Sequence, residues 1–286
     1  MIVKANAKLN LSLDITGVRE DGYHIMDMVM QSVTLSDTIE ILPSDSGVIE
    51  ILSDSRIIPL GETNLIYKAA AAIADYCNVR DRGLRILLRK NIPVEAGLGG
   101  GSADAAATLK ALRKLWNLSV SDETLAEIGL SIGSDIPFCL QGGTAAVGGI
   151  GERIQPIKPL SGCFFVVAVP NEGVSTKNAF QLIDAVCDYQ KPSTARLIEA
   201  IGNNDLSEAA SLMINVFDTS GVTKASSGLI NLIRSYGAAG ASLSGSGSAA
   251  FGLFTGIEEA KKCTELLNVG YRCWLCEPAS CGVEFL

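Results

Sequence analysis

Between Ala5 and Asp14 apolar and polar residues alternate without a break, Ala5, Ala7, Leu9, Leu11 and Leu13 against Asn6, Lys8, Asn10, Ser12 and Asp14. A period of two is that of a strand, so one face is expected on the core and the other forms a polar wall. Asp21 and Gly22 mark a turn, Ile25 to Leu35 continues as a strand, and residues 38–42 with 47–51 read as a hairpin. Asn64 is the expected N-cap of a helix running to about Cys77, and Gly83 to Arg89 is a strand that delivers the chain to a cluster of glycines. Beyond the cluster, Ala105, Leu109, Leu112 and Trp116 recur at i, i+4, i+7 and i+11, the apolar face of a helix that should begin near Ser102 or Ala103. Ser121, with Glu123 and Thr124, opens a further helix ending near Ile132 and Gly133.

Residues 142–151 read as a small-residue strand and turn, and Gln155 to Gly162, interrupted by Pro156 and Pro159, is the best boundary in the chain. After the apolar strand Phe164 to Val169, helices over 193–200, 206–213 and 226–236 alternate with strands over 241–243, 249–254 and 272–275. The mixture is α+β, divided into residues 1–154 and 155–286.

The glycine cluster supplies the chemistry. Gly97, Gly99, Gly100 and Gly101 can take positive φ and let backbone N–H groups approach an anion, while the helix that follows offers unpaired amides and the positive end of its dipole. Phosphate is the expected ligand. No Gly is followed by Lys, which excludes a P-loop, and Gly-x-Gly-x-x-Gly is absent, which excludes the dinucleotide fingerprint and the protein-kinase loop.

Composition narrows the partners. A chain of 286 residues suits about two domains of ~150 residues each. A net charge of −8 disfavours nucleic acid, so a polyphosphate must be held by amides, a few cations and a metal ion. The sequence shows neither a signal-peptide pattern nor an apolar run of ~18 residues, and a cytoplasmic protein with no membrane partner is expected. The eight cysteines, at 77, 139, 163, 187, 263, 273, 276 and 281, are expected to be reduced core residues. Cys273-x-x-Cys276 has no second pair and His24 is the only histidine, so no protein-built metal site is expected.

The run Pro93-x-x-x-Gly97-Leu-Gly-Gly-Gly-Ser-Ala-Asp-Ala-Ala resembles the second motif of the GHMP kinases, the superfamily of galactokinase, homoserine kinase and mevalonate kinase. Lys4 to Leu13 resembles the first motif and Gly240 to Ser248 the third. Asp21-Gly-Tyr-His24, Asn64 to Ala70, and Gly133-Ser-Asp-Ile-Pro-Phe138 leading to Gly142-Gly-Thr144 are similar to the branch whose acceptor is a methylerythritol carrying a cytidine diphosphate group. The resemblance implies a ribosomal-protein-S5-like N-terminal domain and a ferredoxin-like C-terminal domain with the site in the cleft between them. It also implies phosphoryl transfer from ATP, with Mg²⁺, to an alcohol.

Site residues follow from the same resemblance. ATP would be cradled by Pro93, Val94, Glu95, Ala96, Gly97, Leu98, Gly99, Gly100, Gly101, Ser102 and Ala103, with Asn64 and Lys90 as further contacts. Lys8 maps to the catalytic lysine and Asp135 to the general base. Read by themselves, a lysine on a strand is usually solvated and Ser-Asp ahead of a proline is a turn or N-cap. Tyr23 and Phe180 would sandwich a cytosine whose edge His24 reads, Asn10 and Asp135 would face the alcohol, and Gly245, Ser246 and Gly247 would form a second loop on phosphate or substrate. Ser134 stands where many members carry Ala, and Val147 to Glu152 lacks an arginine found in some, so that segment is given no role. Two rivals stay open: another small-alcohol kinase of the superfamily, which needs neither the Asp-Gly-Tyr-His turn nor Phe180, and a ligand-sensing module, which could lose Lys8 or Asp135. A homodimer is also left open.

Overall fold

The computed structural model describes residues 1–170, 176–186 and 188–286, without the side chains of 176–178, 224 and 225. Cys187 and the stretch 173–175 ahead of Phe180 therefore lie outside the described residues. The alternating segment is the middle of β1 (Ile2–Val18), which turns through residues 19–23 into β2 (His24–Pro43) and pairs with it antiparallel along its length. The register shifts between Asn6 and Ala7, where the extra residues lie on β2, and between Asn10 and Ser12 and between Ile15 and Gly17, where β1 itself bulges.

β3 (Ile49–Ser53), α1 (Leu65–Tyr76) and β4 (Leu84–Arg89) follow. The hairpin expected from residues 38–42 and 47–51 does not form. β4 inserts between its two arms, antiparallel to β2 and parallel to β3. Leu84, Ile86 and Leu88 of β4 are buried, whereas β3 buries only Ile51, so the more apolar strand takes the interior position and β3 becomes the edge. Asn64 caps α1 by accepting from the Ile66 amide at 2.8 Å, as expected.

α2 (Gly100–Leu115) begins at Gly100, earlier than Ser102 or Ala103, because the Ala103 amide already donates to the Gly99 carbonyl at 2.8 Å. Gly100 and Gly101 are thus the first helical turn, where amides need no intrahelical partner. α3 (Asp122–Ile132) is capped by Ser121, and α4 (Ile136–Gln141), β5 (Thr144–Gly149) and β6 (Arg153–Pro156) complete the first half. β5 pairs with the first half of β2, on the same edge that β4 takes further along.

The second sheet starts with β7 (Phe164–Val169), followed by α5 (Thr176–Ile183), α6 (Thr194–Gly202), α7 (Leu206–Ser211), α8 (Val216–Thr219) and α9 (Lys224–Ser235). Then come β8 (Gly240–Leu243), β9 (Ala250–Phe254), α10 (Ile257–Leu267), β10 (Arg272–Cys276) and β11 (Val283–Phe285). The described strands give an antiparallel sheet ordered β10-β7-β9-β8, on which α9 and α10 pack. The order fourth, first, third, second is that of the ferredoxin-like arrangement. α5, α8, α10 and β11 were not foreseen in the sequence.

β11 leaves the second sheet and pairs with β1, Val3 opposite Phe285 and Ala5 opposite Val283. The crossing is tight: a Cβ on Gly282 would lie 1.9 Å from the Cys139 carbonyl oxygen in α4, and one on Gly142 would lie 1.8 Å from the Gly282 amide. Asn6 secures the approach, its side chain donating to the Cys281 carbonyl at 2.9 Å. Gly282→Ala must therefore push α4 away from β11. We expect a loss of about 1–3 kcal/mol in denaturant unfolding, the usual scale of overpacking, and an unchanged midpoint would show that this crossing yields freely.

Candidate active site

A cavity of about 780 Å³ opens between the two sheets, walled by β1, the start of β2, the glycine segment, the first turn of α2, Asp135, Phe180, Phe217 and the 245–246 loop. Lys8 and Asn10 of the polar face of β1, with Leu13, line its floor. Asn6, Lys8, Asn10 and Ser12 are all buried, so the expected polar wall faces the cleft and its covering loops instead of bulk water.

Two glycine-bearing loops meet over that floor. The Lys8 amide donates to the Leu98 carbonyl at 3.0 Å, the Ala249 amide to the Ala96 carbonyl at 3.0 Å, and the Ser244 hydroxyl to the Gly97 carbonyl at 2.9 Å. Gly97 has φ +78° and a Cβ there would sit 2.1 Å from the Ser244 carbonyl oxygen, so it needs both the left-handed backbone and the missing side chain. Gly99, with φ +68°, leaves room for Lys8, whose Cγ would be 2.8 Å from a Cβ. Gly100 and Gly101 do not share the expected positive φ. Their contribution is space, because a Cβ on Gly100 would meet Ile92 at 3.0 Å and Lys90 Nζ at 3.2 Å, and one on Gly101 would meet Leu65 at 3.3 Å.

Lys8 Nζ donates to Asn10 Oδ1 at 2.6 Å and lies 3.5 Å from Asp135 Oδ2. Asp135 holds the N-cap position of α4, yet its side chain makes no capping bond, so the carboxylate stays turned to the lysine. Asn10 Oδ1 also accepts from the Gly245 amide at 2.9 Å. The 245 loop is held from the other side by Asn215, whose side chain donates to the carbonyls of Leu243 at 2.9 Å and Gly245 at 2.8 Å while accepting from the Phe217 amide at 3.0 Å. Asn215 was missed. Its signal was a polar residue inside the apolar run Met213 to Phe217.

The remaining expected residues divide. Asn64, Lys90, Tyr23, His24, Phe180, Gly245 and Ser246 line the cavity together with Pro93 to Ser102. Ala103 is fully buried inside α2, and Gly247 lies behind the loop, its amide closing a turn on the Ser244 carbonyl at 3.0 Å. Neither reaches the cavity wall. The Phe180 ring lies 4.7 Å from the His24 ring, tilted by 37°, and edge-on to Phe217 at 4.9 Å. Ile58, Pro59, Leu65 and Leu88 add an apolar wall near the start of α2.

Beneath that wall Lys90 bridges two aspartates, donating to Asp37 and, at 2.9 Å, to Asp104 Oδ2. Asp37 is fully buried and also accepts from the amides of Asn91 at 2.5 Å and Ile92 at 2.8 Å. Burial works against the Lys90 charge, but Asp104 and Asp37 outweigh it and raise its pKa. Burial pushes the Asp104 carboxyl up to about 8, against the pull of Lys90 and with the repulsion of Asp37 added. One cation cannot neutralise two buried anions, and the repulsion between them favours the protonated form of Asp104. Among the described residues, Asp104 Oδ1 is buried with no hydrogen-bond partner.

Among the described residues no group of three or more His, Cys, Asp or Glu stands together as a metal site. In the C-x-x-C pair of β10, burial pushes both thiols up to about 12, with Cys263 adding to the effect at Cys273. No helix of the described residues is long and apolar enough to cross a membrane.

Residues 64–143 match the family model described as the GHMP kinases N terminal domain. The 4-diphosphocytidyl-2-C-methyl-D-erythritol kinase of Clostridium novyi (strain NT) is 42% identical over 276 residues, covering 95% of this chain and 97% of the relative. A solved structure of 4-(cytidine 5'-diphospho)-2C-methyl-D-erythritol kinase superposes with a TM-score of 0.81 at 32% identity, over 96% of this chain and 98% of the other. A homoserine kinase from Cytophaga hutchinsonii ATCC 33406 superposes at 0.79 with 20% identity, over 99% and 96%, a likeness of fold alone.

The geometry yields two expectations. Gly99→Ala should displace Lys8 and strain the loop, lowering kcat about 10²-fold with acceptor affinity by calorimetry nearly unchanged; a normal kcat would separate Gly99 from the lysine. For Asp104, a carboxyl titrating near 3.8 when unfolded and near 8 when folded takes up a proton on folding between those values. Its stabilising effect is full below the lower value and is lost as pH rises toward the upper one. The permanently neutral Asp104→Asn should therefore gain thermal stability over the parent as pH is raised from about 5 to about 8.5, whereas a pH-independent difference would show that Asp104 is charged throughout.

Proposed function

The chain belongs to the 4-diphosphocytidyl-2-C-methyl-D-erythritol kinases of the GHMP superfamily, and on that premise we propose how its cleft divides the work of the reaction. It is an ATP-dependent kinase that phosphorylates 4-diphosphocytidyl-2-C-methyl-D-erythritol for isoprenoid synthesis, giving ADP and, in our reading, the 2-phosphate. The observation that carries the residue assignment is the approach of Lys8 Nζ to Asp135 Oδ2, 3.5 Å, where the floor of the cleft meets the Gly99 and Gly245 loops.

The amides of Gly100, Gly101 and Ser102, free at the start of α2, hold the triphosphate with the helix dipole behind them. The apolar wall of Ile58, Pro59, Leu65 and Leu88, with Asn64 and Lys90, takes the base of the nucleotide. At the other end Tyr23, His24 and Phe180 take the cytosine of the acceptor. The acceptor hydroxyl then lies between Asp135 and Lys8. As its oxygen attacks the γ-phosphorus and the bond to the β–γ bridging oxygen breaks, Asp135 receives the hydroxyl proton and Lys8 balances the negative charge that builds up. Asn10 holds Lys8 on line, because its oxygen is committed to both Nζ and the Gly245 amide.

Mg²⁺ would neutralise the phosphate oxygens when bound. A metal that keeps several waters and rides on the nucleotide fits a cleft without a carboxylate cluster among its described residues. We divide the chain at residues 154 and 155, with β11 belonging to the first sheet although it comes from the second segment. The chemistry, dissolved ATP meeting a dissolved anionic acceptor, suits the cytoplasm.

Asp135→Asn and Lys8→Ala should each lower turnover by at least about 10²-fold in an ADP-release assay, with unfolding midpoints retained. In the parent protein cytidine diphosphate should compete with the acceptor, and mevalonate and homoserine should do nothing. Turnover of either alcohol with indifference to cytidine nucleotides would overturn the acceptor reading, and a near-normal variant would remove that residue from the mechanism.

A further inference from the structure

His24 sits at the start of β2, and the charged group on its ring comes from the other half of the molecule: Nε2 lies 2.8 Å from Asp184 Oδ1, just past the end of α5. The ring also packs on Phe180, 4.7 Å between centroids and tilted by 37°, so a ring contact on one side and an acceptor at one edge fix its orientation. A carboxylate only accepts, so the nitrogen facing it must carry hydrogen. In the neutral ring the proton is then on Nε2, and Nδ1 is a bare acceptor. Among the described residues no hydrogen bond reaches Nδ1, and the His24 side chain lines the cavity.

We propose that Asp184 is a positioning residue that selects the Nε2–H tautomer of His24 and thereby makes the base site choose an amino-bearing pyrimidine over an oxo-bearing one. The inference rests on the reading that His24 meets the cytosine of the acceptor. Cytosine presents an exocyclic amine that donates to a bare Nδ1, whereas uracil presents a carbonyl oxygen there and two acceptors would face each other. The opposite tautomer would reverse the preference. Asp184 touches no substrate; it acts through the ring. Because the contact joins the start of β2 to the end of α5, it also holds Phe180 and His24 in one unit.

His24 is the only histidine, so a single imidazole signal can be followed without assignment. Protein labelled with ¹⁵N-histidine should give the Nε2–H pattern in long-range ¹H–¹⁵N spectra at mildly alkaline pH. Asp184→Ala should give a mixture of tautomers and lower the ratio of kcat/KM for the cytidine acceptor over its uridine analogue about tenfold, the worth of one hydrogen bond, with the KM for ATP unchanged. Asp184→Glu, which keeps the carboxylate, should restore both. An Nδ1–H pattern in the parent protein, or an Asp184→Ala variant with unaltered tautomer and selectivity, overturns the proposal while leaving the cytidine reading standing. If cytidine diphosphate fails to move the His24 signals, the cytidine reading itself falls and the selectivity half of the proposal falls with it.

Discussion

One side-chain oxygen holds the site together. Asn10 Oδ1 takes a hydrogen bond from Lys8 Nζ and another from the Gly245 amide, so a strand of the first sheet, its lysine and a loop of the second sheet share a single acceptor. The rest of Asn10 is equally committed, its side-chain nitrogen to Met28 Sδ at 3.2 Å and its amide to Ser244 Oγ at 3.4 Å. A buried amide whose oxygen has both acceptor sites taken has few alternative rotamers, which is what a lysine needs if its charge is to wait at one point in space. Asn215 supports the 245 loop from behind in the same way. Two buried asparagines thus brace the 245 loop from opposite sides.

A similar economy runs along β1. Its polar face is buried instead of solvated, which would be costly were the groups unpaired. Asn6 answers to Cys281 and Glu284, Lys8 to Asn10 and Asp135, and Ser12 to the Val29 amide. The strand that reads as core on one face and polar wall on the other is buried on both, with apolar packing beneath and a hydrogen-bonded network above.

Much of this was legible in the chain. The period-two alternation from Ala5 to Asp14, the caps at Asn64 and Ser121, and the strand into the glycine segment are local properties, and they formed where the sequence put them. Failures came where a local signal met a longer-range competitor. Glycine's poor helix propensity argued for loop at Gly100 and Gly101, but contacts with Ile92, Lys90 and Leu65 make the first turn of α2 just where side chains cannot fit. The apparent hairpin over 38–51 lost to β4, forty residues downstream in roughly the sense that contact order describes. The site residues gathered in the cleft were reached through motif resemblance, since neither Lys8 nor Asp135 stands out by type alone. Asp37 and Asp184 had no comparable mark, because each acquires its meaning from a partner distant in sequence, and Asp104, though inside the second motif, shows its role only against Lys90.

The pairing of β11 with β1 has a consequence for how the molecule is made. Residues 3–5 meet residues 283–285, so the first sheet cannot close on that edge until nearly the whole described chain has left the ribosome. At ordinary elongation rates that wait is roughly 15 to 60 seconds, far longer than a strand pair needs to form. During it the β1 edge shows open backbone groups to the cell, a template for misplaced pairing. The closing of that edge is therefore paced by translation instead of by folding itself.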